Sequence, residues 1–188
     1  LPIYPARQPA LVADGINGLP AVLSDGVDDQ MKGAYDLDAS GGFWAFLVAR
    51  FQTISASGHH APISWHNTDA DPGNMMLLAD TKNLIWYGTE LTASSGLLLT
   101  EGTDYGFYFR SWNGGERSFG CEAGSVTDAN GAGRPPGRSM ELFSALVTYW
   151  PANAYVGELI MGTNALTSRQ ETQVRSYLNT KWGVTVPT

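Results

Sequence analysis

The nine residues FWAFLVARF, Phe43 to Phe51, constrain this chain more than any other stretch. Successive side chains of a strand point to opposite faces. Here both faces are apolar: Phe43, Ala45 and Leu47 fall on one, Trp44, Phe46 and Val48 on the other. The pattern predicts a strand covered on both sides, inside a layered domain. Length allows this, because a chain of 188 residues fits one domain and buries about 70% of the surface its unfolded form exposes.

Short apolar runs flank that strand. GLPAVLS (Gly18 to Ser24) reads as a strand with Pro20 at an edge or at its start. NMMLLA, NLIWYG and GLLLT follow as strands, and FSALVTYW and YVGELIM close the series. DYGFYFRSWNGGERSFG reads as a hairpin centred on Asn113, Gly114 and Gly115, which tolerate positive φ. Asp128 to Ser139 is a loop by its glycine and proline content. Turn signals recur every ten or so residues, and 22 glycines stand beside only 11 lysines and arginines. The fold class expected is all-β, an antiparallel two-sheet jelly-roll sandwich.

One helix interrupts the pattern. Thr167 and Gln170 are spaced as a capping box. Val174, Tyr177, Leu178 and Trp182 form one apolar stripe, and Gly183 stands where a helix stops. The helix is expected from about Ser168 to Lys181, docked on the sandwich by that stripe.

Charge and cysteine content exclude several classes. Net charge is -7 and no block of lysine or arginine occurs, so nucleic acid and anionic membrane surfaces are not expected partners. Cys121 is the single cysteine, which removes the disulfide-stapled class and fits folding in a reducing compartment. Leu1 in place of an initiator methionine, with no basic-then-apolar leader, is expected of a processed product or of part of something longer.

Two distant segments carry a family resemblance. NGLPAVLSDGVDDQM (Asn17 to Met31) resembles the opening strand and turn of concanavalin A-like lectin/glucanase modules, in particular the laminin-G-like group of phage structural proteins and bacterial surface proteins. GELIMGTNALTSRQETQVRSYLNTKWGV is similar to their closing signature, on which Glu158, Ala165, Leu166, Tyr177, Leu178, Lys181, Trp182 and Gly183 fall. GFYFRSWNGG is similar to their central hairpin. The resemblance implies one domain over residues 1–188, two antiparallel sheets with one concave, and a C-terminal helix. Members carry a further N-terminal strand before the segment that starts at Asn17, and this chain is expected to lack it or to borrow it.

Carboxylates are the first candidates for chemistry. In SDGVDD, Gly26 suits a tight corner and Asp25 can accept a backbone N–H two residues on. The competing reading is a calcium site on Asp25, Asp28 and Asp29, which would need further oxygens to fill a shell of six to eight. Glycoside hydrolysis needs two carboxylates facing one cleft. Glu101 and Asp104 are three apart and fall on opposite strand faces. Glu158 stands alone and is expected to anchor a loop or the C-terminal helix. GHHAPISWHNTDADPGN gathers His59, His60, His66, Asp69 and Asp71, but the five residues between His60 and His66 are loose for zinc, and an exposed loop is the reading preferred. Cys121 is expected to be buried and inert.

Aromatic residues are the second. Trp65, Trp86, Tyr87, Trp112 and Trp150 are candidates for outward rings that stack on a sugar or anchor a protein interface. The expected function is therefore non-enzymatic: a structural and recognition module on the surface of a phage particle, as capsid decoration or a fibre or tail component, that binds glycans. The alternative is a carbohydrate-binding module of a bacterial secreted or surface protein. Expected partners are other virion proteins or a second copy of the chain, and a cell-surface glycan. No cofactor is expected beyond the calcium candidate.

Overall fold

The computed structural model describes residues 8–34, 42–54, 59–66, 75–80, 82–87, 92–111, 117–128, 139–144 and 150–187. Thirteen strands are defined there: β1 (Ala10–Ile16), β2 (Leu19–Leu23), β3 (Met31–Ala34), β4 (Phe43–Phe51), β5 (His59–His66), β6 (Met75–Asp80), β7 (Asn83–Tyr87), β8 (Thr92–Leu98), β9 (Asp104–Ser111), β10 (Arg117–Cys121), β11 (Gly124–Asp128), β12 (Ser139–Leu142) and β13 (Ala154–Thr163). A helix, α1 (Ser168–Trp182), follows. The strands pair antiparallel in two sheets, one ordered β1-β2-β13-β4-β9-β10-β11 and the other β3-β12-β5-β6-β7-β8.

Alternation along β4 decides the layering. Phe43, Ala45, Leu47, Ala49 and Phe51 enter the core between the sheets, with Tyr105, Phe107 and Phe109 of β9 beside them and Ile63 and Trp65 of β5 across from them. Phe46 and Val48 face the other way, into a second core with Tyr108, Leu178, Trp182, Val184 and Val186. The double coverage expected of this strand is therefore met by a sheet on one side and by α1 with the segment after it on the other. Gly106 makes room for that segment, since a Cβ there would stand 2.5 Å from a methyl of Val186.

α1 begins and ends as its sequence dictates. The Thr167 hydroxyl accepts the Gln170 N–H, the Gln170 side chain accepts the Thr167 N–H at 2.9 Å, and Gly183 closes the helix in the left-handed region. Leu178 and Trp182 are buried, Val174 is half-buried, and Tyr177 stays exposed at the margin of the stripe.

Several expectations are corrected. A strand does precede Asn17: β1 pairs with β2 at the edge of the seven-stranded sheet. The histidine-rich segment is not an exposed loop over its first half. His59–His66 is β5, and Ala61, Ile63, Ser64 and Trp65 are buried. Pro62 sits at a register shift between β5 and β6, which spares it a ladder N–H. Of the strand expected at FSALVTYW, 145–149 fall outside the described residues; its first residue, Phe143, takes φ 70 directly after β12, a strand the sequence reading did not anticipate. Of the two places expected for Pro20 the start of the strand holds: it is the second residue of β2, beyond the Val22 and Leu23 that pair with β13, while β2 itself lies between β1 and β13 and is no edge. β9 and β10 pair as the hairpin expected, with its turn outside the described residues. Cys121 is buried, and burial pushes its thiol up to about 11.

Candidate functional site

Each sheet has one face turned away from the central core, and the two faces differ. That of the seven-stranded sheet is sealed by α1 and Val184–Val186. That of the six-stranded sheet carries polar side chains. Met140 and Leu142 pack on the central core, so Glu141 between them points the opposite way. Ser64 does the same between Ile63 and Trp65. Lys32, Glu141 and Ser64 are cross-strand partners in one row, continued in register by Met76, Tyr87 and Thr92.

Glu141 is fully buried in this row. The Lys32 ammonium lies 3.7 Å from its Oε1, and the Ser144 hydroxyl donates to its Oε2 at 3.4 Å. Ser64 donates to the Ser144 carbonyl at 2.9 Å, tying the chain after β12 back to β5. A buried carboxylate costs folding free energy even when paired; Glu141 and Ser64 are both fully buried, so this part of the face is covered, and Lys32 stands partly exposed at its margin. Glu141 was not among the candidates read from sequence. Its signal is slight: a single glutamate between two apolar residues in SMEL, directly after a glycine- and proline-rich stretch.

The crossover after β12 holds two aromatic residues in unusual backbone. Phe143 and Trp150 both have positive φ, 70 and 59, a conformation that is an outlier for bulky side chains. Backbone bonds fix them: the Phe143 N–H donates to the Pro62 carbonyl, and the Trp150 carbonyl accepts the Ala61 N–H. The Trp150 ring is half-buried with the His59 ring edge-on at 4.9 Å, and the His60 Nδ1 lies 3.0 Å from the Pro151 carbonyl oxygen.

The aromatic candidates separate accordingly. Trp65 is 1% exposed, packed edge-on against Phe43 and Phe109, and offers no outward ring; strand parity assigns it to the core. Trp86 shares a cross-strand row with core residue Ile63, and Tyr87 shares the row of Glu141. Trp112 lies outside the described residues.

Asp25, Asp28 and Asp29 do converge, each offering an oxygen within 4.8 Å of the others. Two of them build the turn itself. Asp25 Oδ1 accepts the Val27 N–H at 2.8 Å, and Asp29 Oδ2 accepts the Asp25 N–H at 2.9 Å. Burial holds the Asp29 carboxyl above its usual range, and the neighbouring Asp25 and Asp28 charges push the same way against that backbone bond. Their closeness is a property of one tight corner, with Gly26 at φ 76, and not of two walls facing each other. A calcium ion here would need carbonyl or water oxygens beyond the three carboxylates.

Three further acids among the described residues are engaged in structure. Asp104 binds Arg50 through two bonds of 2.6 and 2.8 Å, and Glu101 Oε1 accepts the Ile54 N–H at 2.9 Å. Glu158 anchors α1, as expected. A register shift in β13 between Val156 and Glu158 turns Glu158 toward the helix side. There its Oε1 accepts the Tyr177 hydroxyl at 2.9 Å, and its Oε2 accepts the Lys181 ammonium at 3.2 Å and the Trp182 indole N–H. Burial raises the Glu158 carboxyl, but the three donors and the Lys181 charge outweigh it and leave it below its usual value. A carboxyl lowered by folding stabilises the fold above its unfolded pKa and loses that contribution as pH falls through the folded one. Melting temperature measured from pH 7 to pH 3 is expected to fall more steeply in the native chain than in Glu158→Gln. Parallel curves would mean that the carboxylate holds nothing.

No family model matches this sequence, and no curated protein does. Solved structures match its fold. Trypanosoma rangeli sialidase in complex with the inhibitor DANA aligns at 11% identity with a TM-score of 0.65, covering 81% of this chain and 26% of the sialidase. The same enzyme as a covalent intermediate with 2,3-difluorosialic acid aligns at 11% identity with a TM-score of 0.67, covering 86% of this chain and 28% of the other. A receptor binding domain aligns at 8% identity with a TM-score of 0.65, covering 91% of this chain and 45% of that one. The chain thus spans only 26% to 28% of these sialidases. Two stacked antiparallel sheets followed by α1 make this an antiparallel β-sandwich of the concanavalin A-like, jelly-roll kind, and that fold is what it shares with these neighbours.

Proposed function

We propose that this chain is a non-enzymatic recognition module whose ligand face is the outer face of the six-stranded sheet, and that its ligand is a glycan. The observation that carries this reading is the asymmetry of the two outer faces. One is covered by apolar packing under α1, while the other carries a polar row in which Lys32 is partly exposed at the margin of buried Glu141 and Ser64, with Tyr87 in register. Lys32, held by Glu141 yet about a third exposed, can donate to sugar hydroxyls, and Tyr87 supplies a ring of the type that stacks on a sugar face. The receptor binding domain among the solved neighbours favours a recognition role, and the sialidase favours a sugar as the ligand. Against catalysis stand the structural uses of Asp104, Glu101 and Glu158 and the turn-bound geometry of Asp25 and Asp29.

The setting we propose is the surface of a phage particle, as capsid decoration or part of a fibre or tail. Its support is the resemblance of the Asn17 and Gly157 segments to modules of phage structural proteins. A module of a bacterial secreted or surface protein is the second reading, carried by the same segments. A glycan array with the purified chain is the test. One clear class of hits is expected, weakened about tenfold or more in Kd by Lys32→Ala and by Tyr87→Ala, a loss of about 1.4 kcal/mol or more. An empty array, or release of sugar from a polysaccharide by the pure protein, would overturn the reading.

A further inference from the structure

The sandwich has one closed side and one open side. β8 and β11, each the last strand of its sheet, touch each other. At the opposite side β1 ends one sheet and β3 ends the other, and no described strand pairs with the outer edge of either. Residues 24–30 run from β2, the neighbour of β1, to β3 and so link the two sheets. Three of the exposed large apolar side chains fall along this side: Leu11 of β1 at 76%, Val27 in the bridge at 72% and Met31 of β3 at 44%.

The two edges are guarded unequally. β3 is four residues long and carries Lys32, drawn toward Glu141. β1 is seven residues long and contains no lysine or proline. Its second half is protected by the register shift between Val12 and Ile16 and by exposed Asp14. Its first half, Ala10-Leu11-Val12, has neither device. Unpaired, apolar strand edges are templates for an added strand, which is why proteins guard them.

Charge selects the occupant. From Arg7 to Gly33 the sequence carries Asp14, Asp25, Asp28 and Asp29 against Arg7 and Lys32. A second copy related by a two-fold axis would bring like charges together, on a chain that is already net -7. An extended segment that alternates apolar residues with lysine or arginine meets complementary charge instead. We propose that the β1 edge docks such a basic, extended segment of a partner protein, which adds as a new outer strand beside Ala10–Val12. This surface is separate from the glycan face and does not depend on it.

The test uses the full chain and a synthetic peptide of three Lys-Val repeats, with a Glu-Val peptide as control. Hydrogen exchange is expected to slow at Ala10–Val12 with the Lys-Val peptide and not with the control. Leu11→Lys places a cation on the edge and is expected to weaken the peptide about tenfold or more, whereas Leu98→Lys, on the closed side, is expected to leave binding unchanged. Protection confined to other strands, or equal loss in both variants, would reduce the effect to charge adsorption and overturn the proposal. A dimer seen by light scattering in the native chain and lost in Leu11→Lys would overturn it in favour of a second copy.

Discussion

Trp182→Ala is expected to cost about 3–5 kcal/mol, the range for removing a buried tryptophan, and to lower the melting temperature by roughly 10 °C for a domain of this size. Trp182 is 3% exposed. Its ring lies against Gly157, where a Cβ would stand 2.7 Å from it, and packs with Phe46, Val48 and Leu178. Its indole N–H reaches Glu158. Truncation leaves a cavity under the helix and removes one of the donors that hold that carboxylate. Trp182→Phe keeps most of the volume and loses the donor, so it is expected to cost about 1–2 kcal/mol. Urea unfolding of both variants separates packing from hydrogen bonding. A loss below about 1 kcal/mol for the alanine variant would show that α1 docks by other means.

Gly26→Ala is expected to cost about 2–5 kcal/mol. Its φ of 76 is a left-handed conformation that a Cβ penalises by about 1–2 kcal/mol. Space is also absent: the Cβ would stand 2.7 Å from the Asn153 Cβ and 2.9 Å from its backbone nitrogen, and such overpacking adds about 1–3 kcal/mol. Gly102 supplies the control. Its φ is 75, but nothing lies within 4 Å of the same position, so Gly102→Ala bears the conformational term alone, about 1–2 kcal/mol. Equal losses in urea at the two sites would mean that the corner does not press on Asn153.

Local pattern made the central parts of the fold legible. FWAFLVARF carries its own requirement for two apolar neighbours, and the Thr167–Gln170 spacing and Gly183 mark the ends of a helix without reference to anything distant. β5 was hidden because its proline and histidines look like loop composition; it is a strand because distant partners, β12 and β6, flank it and the central core takes up Ile63 and Trp65. β12 is four residues long, too short to establish a period. Sequence assigned Glu158 its anchoring role, but its direction depends on the extra residue in β13, which shifts parity by one and which no local pattern announces. The proposed ligand face was the least legible. Its residues come from separate strands, and only the pairing register brings Lys32, Glu141 and Ser64 into line.

The position of β13 has a consequence for biosynthesis. It is the last strand in the sequence, yet it lies between β2 and β4. Until it leaves the ribosome, the β1–β2 hairpin has no seat in its sheet, and the bare flank of β4 waits as well. Phe46 and Val48 then wait longer still, for Leu178 and Trp182. A nascent chain would therefore hold two half-built sheets with sticky borders until residues 154–182 have been made, the state in which holdase chaperones and neighbouring copies compete for it.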